Sequence, residues 1–267
     1  MNRASEPPLS ELVDFSHHLA RLSAQAILPH FRQSIGYDNK VGPTGFDPVT
    51  AADRAAEEVI RKALAERYPD HGIIGEEYGR QDSGSDYAWV IDPIDGTRSF
   101  MMGLQTWGTL IGLRHAGRMC VGVMNQPFTG ERFWAYDAAA YYDGPGGART
   151  LRSRSCESLD HAILATTSPE LFREPGQWAA FERVKSKVRM TRYGGDCLSY
   201  CLLAMGQIDL VVEANLQAYD IAALVPIIER AGGIISTWDG GDAQNGGNVV
   251  AAGDPRMHEA ALRLVNA

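Results

Sequence analysis

Two aspartates, Asp92 and Asp95, follow directly after an apolar run that is typical of a buried strand. Pro93 cannot donate a ladder hydrogen bond and Gly96 permits a tight bend, so we expect both carboxylates to lie on a turn and to face one point. Two carboxylates with a backbone carbonyl such as that of Ile94 suit Mg²⁺. The stretch therefore predicts a divalent-cation site, and the alternative is an Asx turn in which the aspartates only cap the backbone.

A phosphate group can be bound beside this predicted cation site. If a helix begins at Gly96, its free N–H groups, those of Gly96 and Thr97, and its dipole attract an anion. Two further acidic segments stand elsewhere in the chain: Glu76 ends a short apolar run, and Asp220 lies at the start of an apolar helical segment. These carboxylates can join Asp92 only through folding.

Four sequence motifs together resemble the signatures of the inositol-monophosphatase family of Mg²⁺-dependent phosphatases. In chain order they are VTAADR at Val49 to Arg54, GEE at Gly75 to Glu77, DPIDGT at Asp92 to Thr97, and YDIAALVPIIERAGG at Tyr219 to Gly233. The order and separation of the motifs agree with that family. The resemblance implies an α+β protein, a layered αβαβα sandwich with two lobes and the metal site between them.

The resemblance also implies roles for the acidic residues. One Mg²⁺ would be held by Glu76, Asp92 and the Ile94 carbonyl, and a second by Asp92, Asp95 and Asp220. A weaker third ion near Glu76 is implied as well, which gives two or three ions per site. Asp220 is also expected to contact the substrate.

Three residues are expected to serve the attacking water. By resemblance, Asp53 hydrogen-bonds Thr97, and this pair acts with Glu76 on a metal-activated water, without a covalent intermediate. Asp53 has a simpler interpretation, in which it only favours the dipole of a helix capped by Thr50. Glu77 is expected to point away from the site because side chains alternate along a strand.

The substrate is indicated by two segments that resemble the histidinol-phosphatase branch of the family. They are Arg98-Ser99-Phe100 followed by WGTLIGL, and GGDCLSYCLLAMGQIDLVVEANLQAYD before Asp220. Histidinol carries an ammonium and an imidazole, and Asp196 and Glu213 can supply carboxylates for them. Inositol hydroxyls need similar acceptors, and Glu213 has an alternative interpretation as a solvated strand end.

Two other functions therefore stay open beside L-histidinol-phosphate hydrolysis. One is an inositol monophosphatase or a small-molecule phosphatase of broad specificity. The other is a non-catalytic, metal-dependent regulatory protein with the same fold.

The composition limits the partners and the compartment. The chain has 267 residues, of which 45% are hydrophobic, and a net charge of −8, which argues against nucleic acid as a partner. We find no secretory signal and no run of membrane-spanning length, so a cytoplasmic protein without a membrane partner is expected. The four cysteines indicate neither a disulfide framework nor a zinc cluster, and Cys197 and Cys201 are interpreted as core residues.

The hydrophobic pattern predicts an N-terminal α+β lobe over residues 1–150 and a C-terminal α/β lobe over residues 151–267. A polar, glycine-rich loop is expected over residues 34–48, where Lys40 loosely matches a family lysine. The resemblance implies a homodimer. The main predicted elements are helices at Leu9 to Phe31, Ala51 to Tyr68 and Ala218 to Ala231, with a strand meander from Trp107 to Asp143.

Overall fold

The fold is described from a computed structural model, which covers residues 7–34, 36–40 and 48–267. The predicted loop over residues 34–48 therefore lies partly outside the described residues. The α-helices are α1 (Leu9–Ile27), α2 (Ala51–Arg67), α3 (Thr97–Met101), α4 (Gln177–Lys185), α5 (Asp196–Ala204), α6 (Ala218–Ile221), α7 (Leu224–Arg230) and α8 (Pro255–Val265).

The strands form one short pair and two large sheets. The pair is β1 (Tyr37–Asn39) with β2 (Pro48–Thr50). The first large sheet contains β3 (Gly72–Gly75), β4 (Gly79–Gln81), β5 (Tyr87–Asp95), β6 (Gly108–His115), β7 (Arg118–Gln126), β8 (Glu131–Tyr136), β9 (Ala139–Asp143) and β10 (Arg149–Thr150). The second contains β11 (Ile163–Thr166), β12 (Met190–Tyr193), β13 (Leu210–Leu216), β14 (Ile234–Thr237) and β15 (Gly247–Ala252).

The strand order in the first sheet is β10-β9-β8-β7-β6-β5-β3-β4. Among its described strands, β3 and β5 pair in parallel and all other neighbours pair antiparallel, so the predicted antiparallel meander is confirmed. The second sheet has the order β12-β11-β13-β15-β14, with parallel pairs on both sides of β11. The division into lobes at residues 150 and 151 stays a prediction.

Helices and sheets alternate in five layers, which confirms the predicted αβαβα sandwich. Helices α1 and α2 bury apolar side chains against the first sheet, where Trp89 and Ile91 of β5 face them. Helices α5 and α7 fill the space between the sheets, and α4 and α8 cover the far face of the second sheet. Strand β13 shows the period of two: Val211 packs in the middle layer, whereas Leu210 and Val212 pack against the outer helices.

Local chemistry explains most element boundaries. Thr50 caps α2, and Asp53 completes a capping box with it. The helix predicted over Ala218 to Ala231 is two helices, α6 and α7, because Pro226 has no N–H to donate to the carbonyl four residues earlier. The short strands β1, β2, β4 and β10 were not predicted.

The backbone of the segment between α6 and α7 contacts the first sheet. A Cβ atom on Gly122 of β7 would overlap the carbonyl of Ala223, and one on Gly112 of β6 would lie 3.3 Å from the Ala223 nitrogen. Only glycine fits at position 122, and a side chain at position 112 would be tight, so these two glycines allow the segment after Asp220 to approach the sheet closely.

Two cysteines and the described helices can be compared with the sequence-based predictions. Cys197 and Cys201 are unpaired and buried in the middle layer, as expected for core residues. Among the helices of residues 7–34, 36–40 and 48–267, none has the length and apolar character needed to cross a membrane.

Candidate metal centre

Three aspartates from two elements converge at the C-terminal end of β5. One carboxylate oxygen from each of Asp92, Asp95 and Asp220 lies within 4.8 Å of the others. Asp92 and Asp95 were expected on a turn, but both lie in β5, whose pairing with β6 is irregular between them. The irregularity surrounds Pro93, which cannot donate to the ladder, and it turns both side chains to the same region.

The electrostatics of this cluster favour a bound cation. Burial, followed by the charges of Glu76, Asp95 and Asp220, raises the pKa of Asp92 well above its ordinary value. Burial and the charges of Asp196 and Asp220 likewise raise the pKa of Asp95, although the Cys197 N–H acts in the opposite direction.

Two buried carboxylate oxygens in the cluster, Oδ1 of Asp92 and Oε2 of Glu76, accept no hydrogen bond within the described residues. Buried oxygens without donors, set among like charges, are the arrangement that a hard divalent cation stabilises. The residues present therefore fit a divalent metal.

Glu76 and Glu77 both contact Lys40. The Lys40 ammonium lies 2.8 Å from Oε1 of Glu76 and 2.5 Å from Oε1 of Glu77. The expectation that Glu77 points away was wrong, because β3 ends at Gly75 and the glutamates lie on a turn, where side chains need not alternate. Burial, the largest cause, raises the pKa of Glu77 to about 7.

Thr97 and Asp53 are brought together as expected. The Thr97 hydroxyl lies 3.4 Å from Oδ1 of Asp53 and 3.1 Å from the Ile94 carbonyl oxygen, and its one hydrogen can be donated to either. The other oxygen of Asp53 accepts hydrogen bonds from the N–H and hydroxyl of Thr50. Asp53 therefore both caps α2 and contacts Thr97, and burial raises its pKa.

Gly96 is the N-cap of α3, which begins at Thr97, one residue after the predicted start. Its φ of +83° lies in the left-handed region, and a Cβ there would lie 2.9 Å from Cγ of Asp196. Glycine is required both for the turn and for the approach of Asp196.

Asp196, the first residue of α5, contacts the segment that follows Gly96. Its Oδ2 atom accepts hydrogen bonds from the hydroxyls of Ser99, at 2.5 Å, and Thr106, at 2.7 Å. Its φ of +43° is unusual for a residue with a side chain, so these contacts hold a strained backbone in place. Neither hydroxyl partner was identified from the sequence.

Glu213 is buried in the middle of β13, so its interpretation as a solvated strand end was wrong. One carboxylate oxygen accepts the Thr167 N–H at 2.8 Å, and the other accepts the Tyr200 hydroxyl at 2.9 Å. Burial is the largest cause of the raised pKa of Glu213. The carboxylate is thus held in one orientation.

Most of these groups line a cleft of about 280 Å³. The side chains described above that do not line it are Lys40, Thr50, Asp53, Glu77, Ser99 and Thr106. Its wall includes the three clustered aspartates, Glu76, Gly96 and Thr97, and also Asp196 and Glu213. Sequence reasoning missed Arg173 and Asn215 of the same wall, because nothing in their local pattern distinguishes them from other loop and strand residues. The cleft can hold a small phosphate ester with carboxylates at several points of its wall.

Comparison with known proteins identifies the family. A family model described as "Inositol monophosphatase family" matches residues 8–267. The relative "Bifunctional phosphatase IMPL2, chloroplastic" of Arabidopsis thaliana is 40% identical, and the match covers 97% of this chain and 76% of that protein. "Histidinol-phosphatase" of Mycobacterium tuberculosis is 36% identical, with coverage of 82% and 85%.

Two further matches widen the range of names. "Nus factor SuhB" of Haemophilus influenzae is 36% identical, with 77% of this chain and 78% of that protein covered. The solved structure of an inositol monophosphatase from Zymomonas mobilis has a TM-score of 0.86 and 41% identity, and the match covers 98% of this chain and 100% of that one. The chain therefore belongs to the inositol monophosphatase family of metal-dependent phosphatases.

Proposed function

We propose that the protein hydrolyses L-histidinol phosphate to L-histidinol and phosphate with Mg²⁺ as cofactor. The observation that carries the proposal is that Glu213 and Asp196, two buried carboxylates, share a cleft with the aspartate cluster. An amino alcohol phosphate with an ammonium and an imidazole would need acidic partners for these two groups in the site that binds its phosphate. The likeness to histidinol-phosphatases supports this choice.

The metal ligands in this proposal are the residues of the acidic cluster. One Mg²⁺ would be held by Glu76, Asp92 and the Ile94 carbonyl. A second would be held by Asp92, Asp95 and Asp220, and a third ion would lie near Glu76. Bound divalent cations neutralise charge on a phosphoryl group and activate water near neutral pH.

The chain's own residues would position the reactants. The N–H groups of Gly96 and Thr97 would bind phosphate oxygens, and the Thr97 hydroxyl would orient the attacking water. Asp53, at 3.4 Å from that hydroxyl, would accept its hydrogen, and Glu76 would act on the same water. Asp220 would contact the substrate as well as a metal.

Glu213 would bind the substrate ammonium. Its two oxygens already accept from Thr167 and Tyr200, and each carboxylate oxygen can accept a second hydrogen bond. A carboxylate fixed in this way needs no reorganisation when the ammonium arrives, which favours binding.

The second candidate is an inositol monophosphatase or a phosphatase of broad specificity. It is favoured by the likeness to the Zymomonas mobilis inositol monophosphatase and to the bifunctional phosphatase of Arabidopsis thaliana. Inositol hydroxyls can donate to the same buried carboxylates, so the acidic wall serves both substrates.

A non-catalytic regulatory role is the third candidate, and the likeness to Nus factor SuhB favours it. Against it stand the retained Thr97–Asp53 pair and the complete set of clustered carboxylates, which a protein without catalytic function does not need.

The deciding experiment compares kcat/KM for histidinol phosphate, inositol 1-phosphate and adenosine 3′,5′-bisphosphate with Mg²⁺ present. We expect the highest value for histidinol phosphate. A preference of about tenfold or more for inositol 1-phosphate, equal to about 1.4 kcal/mol, would reverse the first two candidates. Absence of Mg²⁺-stimulated phosphate release from every monoester would favour the regulatory role. A homodimer and a cytoplasmic location stay predictions.

A further inference from the structure

Glu57 of α2 is a fully buried acidic residue outside the predicted site. Its Oε1 atom accepts hydrogen bonds from the Arg61 guanidinium, at 2.7 Å, and from the N–H of Tyr78, at 3.2 Å. Its Oε2 atom accepts the N–H of Glu77 at 2.7 Å. A buried carboxylate is costly unless donors satisfy it, and here two of the three donors belong to the turn that carries Glu76.

The contacts of Glu57 fix the backbone on one side of Glu76. The peptide N–H that follows Glu76, that of Glu77, is donated to Glu57, and the N–H of Glu76 itself is donated to the Ile91 carbonyl at 3.2 Å. Both peptide groups that flank the Cα of Glu76 are therefore held by hydrogen bonds. Since these two groups define the direction of the Cα–Cβ bond, they set where the Glu76 side chain begins.

Two further contacts fit the turn to Glu57. A Cβ atom on Gly75 would overlap the Glu57 carboxylate, so only glycine allows the strand end to come this close. The Arg61 guanidinium also donates to the carbonyl of Gly79, on the far side of the turn. The buried pair thus holds the segment from residue 75 to residue 79 against α2.

The same helix carries Asp53, one turn before Glu57. Residues four apart share a helix face, and here Asp53 contacts Thr97 while Glu57 contacts the turn of Glu76. One helix therefore contacts both Thr97, at the start of α3, and the turn after β3 that carries Glu76.

We propose that Glu57 is a positioning residue that orients Glu76 for metal binding, with Arg61 as its partner. The proposal rests on the proposed role of Glu76 as a metal ligand. The buried Glu57–Arg61 pair then has a function beyond stabilising the fold. Without this pair, the Glu76 carboxylate is free to turn away from Asp92, and the site loses affinity for the cation.

The test is Glu57→Gln, measured as Mg²⁺ binding by the purified protein without substrate. The amide has one acceptor and one donor group, so it cannot accept hydrogen bonds from both the Glu77 N–H and Arg61. We expect calorimetric titration to show a Mg²⁺ dissociation constant raised about tenfold or more, the range for groups that orient metal ligands. We expect kcat at saturating Mg²⁺ to change less than the dissociation constant.

One control and a milder variant complete the experiment. Glu58→Gln alters the exposed neighbour of Glu57 on the same helix, and its Mg²⁺ dissociation constant should equal that of the wild type. Arg61→Lys keeps the charge but loses the fork of donors, and it should shift the constant in the same direction by a smaller factor. It provides the test if Glu57→Gln does not fold.

The outcomes separate this proposal from the proposed metal assignment. Glu76→Gln is the reference variant: if it binds Mg²⁺ as the wild type does, the assignment of Glu76 as a ligand fails. If Glu76→Gln weakens binding but Glu57→Gln and Arg61→Lys leave the constant unchanged, the positioning role is overturned. A lower melting temperature of the metal-free Glu57→Gln protein, with an unchanged Mg²⁺ constant, likewise means that Glu57 serves the fold alone.

Discussion

The amide N–H of Cys197 donates a 2.8 Å hydrogen bond to Oδ2 of Asp95. Asp95 belongs to β5 in the first sheet, and Cys197 lies in the first turn of α5, which packs on the second sheet. This bond crosses from one half of the chain to the other at the aspartate cluster. The side chain of Asp95 is therefore fixed by a helix that follows it by about a hundred residues in the sequence.

We predict that Asp95→Asn lowers kcat strongly while the fold is retained. The substitution keeps the shape of the side chain but removes the charge from one proposed metal site, so the loss at limiting Mg²⁺ should be about tenfold or more. Steady-state kinetics and circular dichroism measure the two effects. Asp86→Asn, at an exposed position, is the matched control. Activity of Asp95→Asn within about a factor of two of the wild type would contradict the assignment.

Asp53→Asn should impair turnover more than metal affinity, because Asp53 contacts Thr97 and caps α2. Loss of the capping-box hydrogen bonds that Asp53 accepts from Thr50 should also lower the free energy of unfolding. Thr97→Val removes the same hydroxyl contact without changing the cap, so it should lower kcat but leave the free energy of unfolding nearly unchanged. Denaturant unfolding and kinetics at saturating Mg²⁺ distinguish the two variants. If Asp53→Asn keeps the wild-type kcat, the residue serves only the helix.

Glu213→Gln should raise KM for histidinol phosphate and spare the hydrolysis of p-nitrophenyl phosphate, whose leaving group has no ammonium. A charge-assisted hydrogen bond is worth about 1.5–3 kcal/mol, so the selective loss in kcat/KM should be about 10- to 100-fold. Tyr200→Phe removes one donor from this carboxylate and should show a smaller loss in the same direction. Equal losses on both substrates would mean that Glu213 supports the fold or the metal site.

The partly buried imidazole of His17 should make the stability of the fold depend on pH. Burial, followed by the charges of Arg132 and Arg21, lowers the pKa of His17 to about 4 from 6.5. Below pH 6.5 the unfolded chain binds a proton at this residue and the folded protein does not, so the stability it contributes is present above pH 6.5 and is lost as the pH falls to about 4.

His17→Gln should remove this dependence. Because the ring is only partly shielded from solvent, we expect the free energy of unfolding of the wild type to fall, relative to the variant, by about 1 kcal/mol between pH 7 and pH 5. Urea unfolding at both pH values measures the difference. His18→Gln, at an exposed neighbour, is the control. A constant difference between wild type and His17→Gln would show that the imidazole is as accessible to protons as in the unfolded chain.

The convergence of the three aspartates was predictable because each of them follows or begins a strongly apolar segment. Asp92 and Asp95 lie in the C-terminal part of β5, after its apolar run, and Asp220 lies in the short helix α6. Their positions therefore followed from the ends of elements. The interpretation of Glu77 failed for a related reason. It assumed that the strand continued, whereas β3 ends at Gly75.

The neutral partners of the site were not predictable in the same way. The hydroxyl of Ser99 meets Asp196, 97 residues later, and the N–H of Thr167 meets Glu213, 46 residues later. A serine or threonine in a short helix or at a strand end has no periodic signal of its own. Its role depends on which distant carboxylate the packing of the layers brings to it, and no local pattern contains that information.

The close approach of Ala223 to Gly112 and Gly122 has a consequence for how this protein can change over evolutionary time. At that contact, main chain meets main chain, so substitutions of nearby side chains cannot move Asp220 toward or away from β5. Elsewhere in the cleft, Glu213 and Asp196 accept hydrogen bonds from the hydroxyls of Tyr200 and Ser99, side chains that a single nucleotide change can replace. Substitutions can therefore change which alcohol is recognised while the position of Asp220 is kept. In this way one fold could acquire new substrates and retain the same catalytic groups.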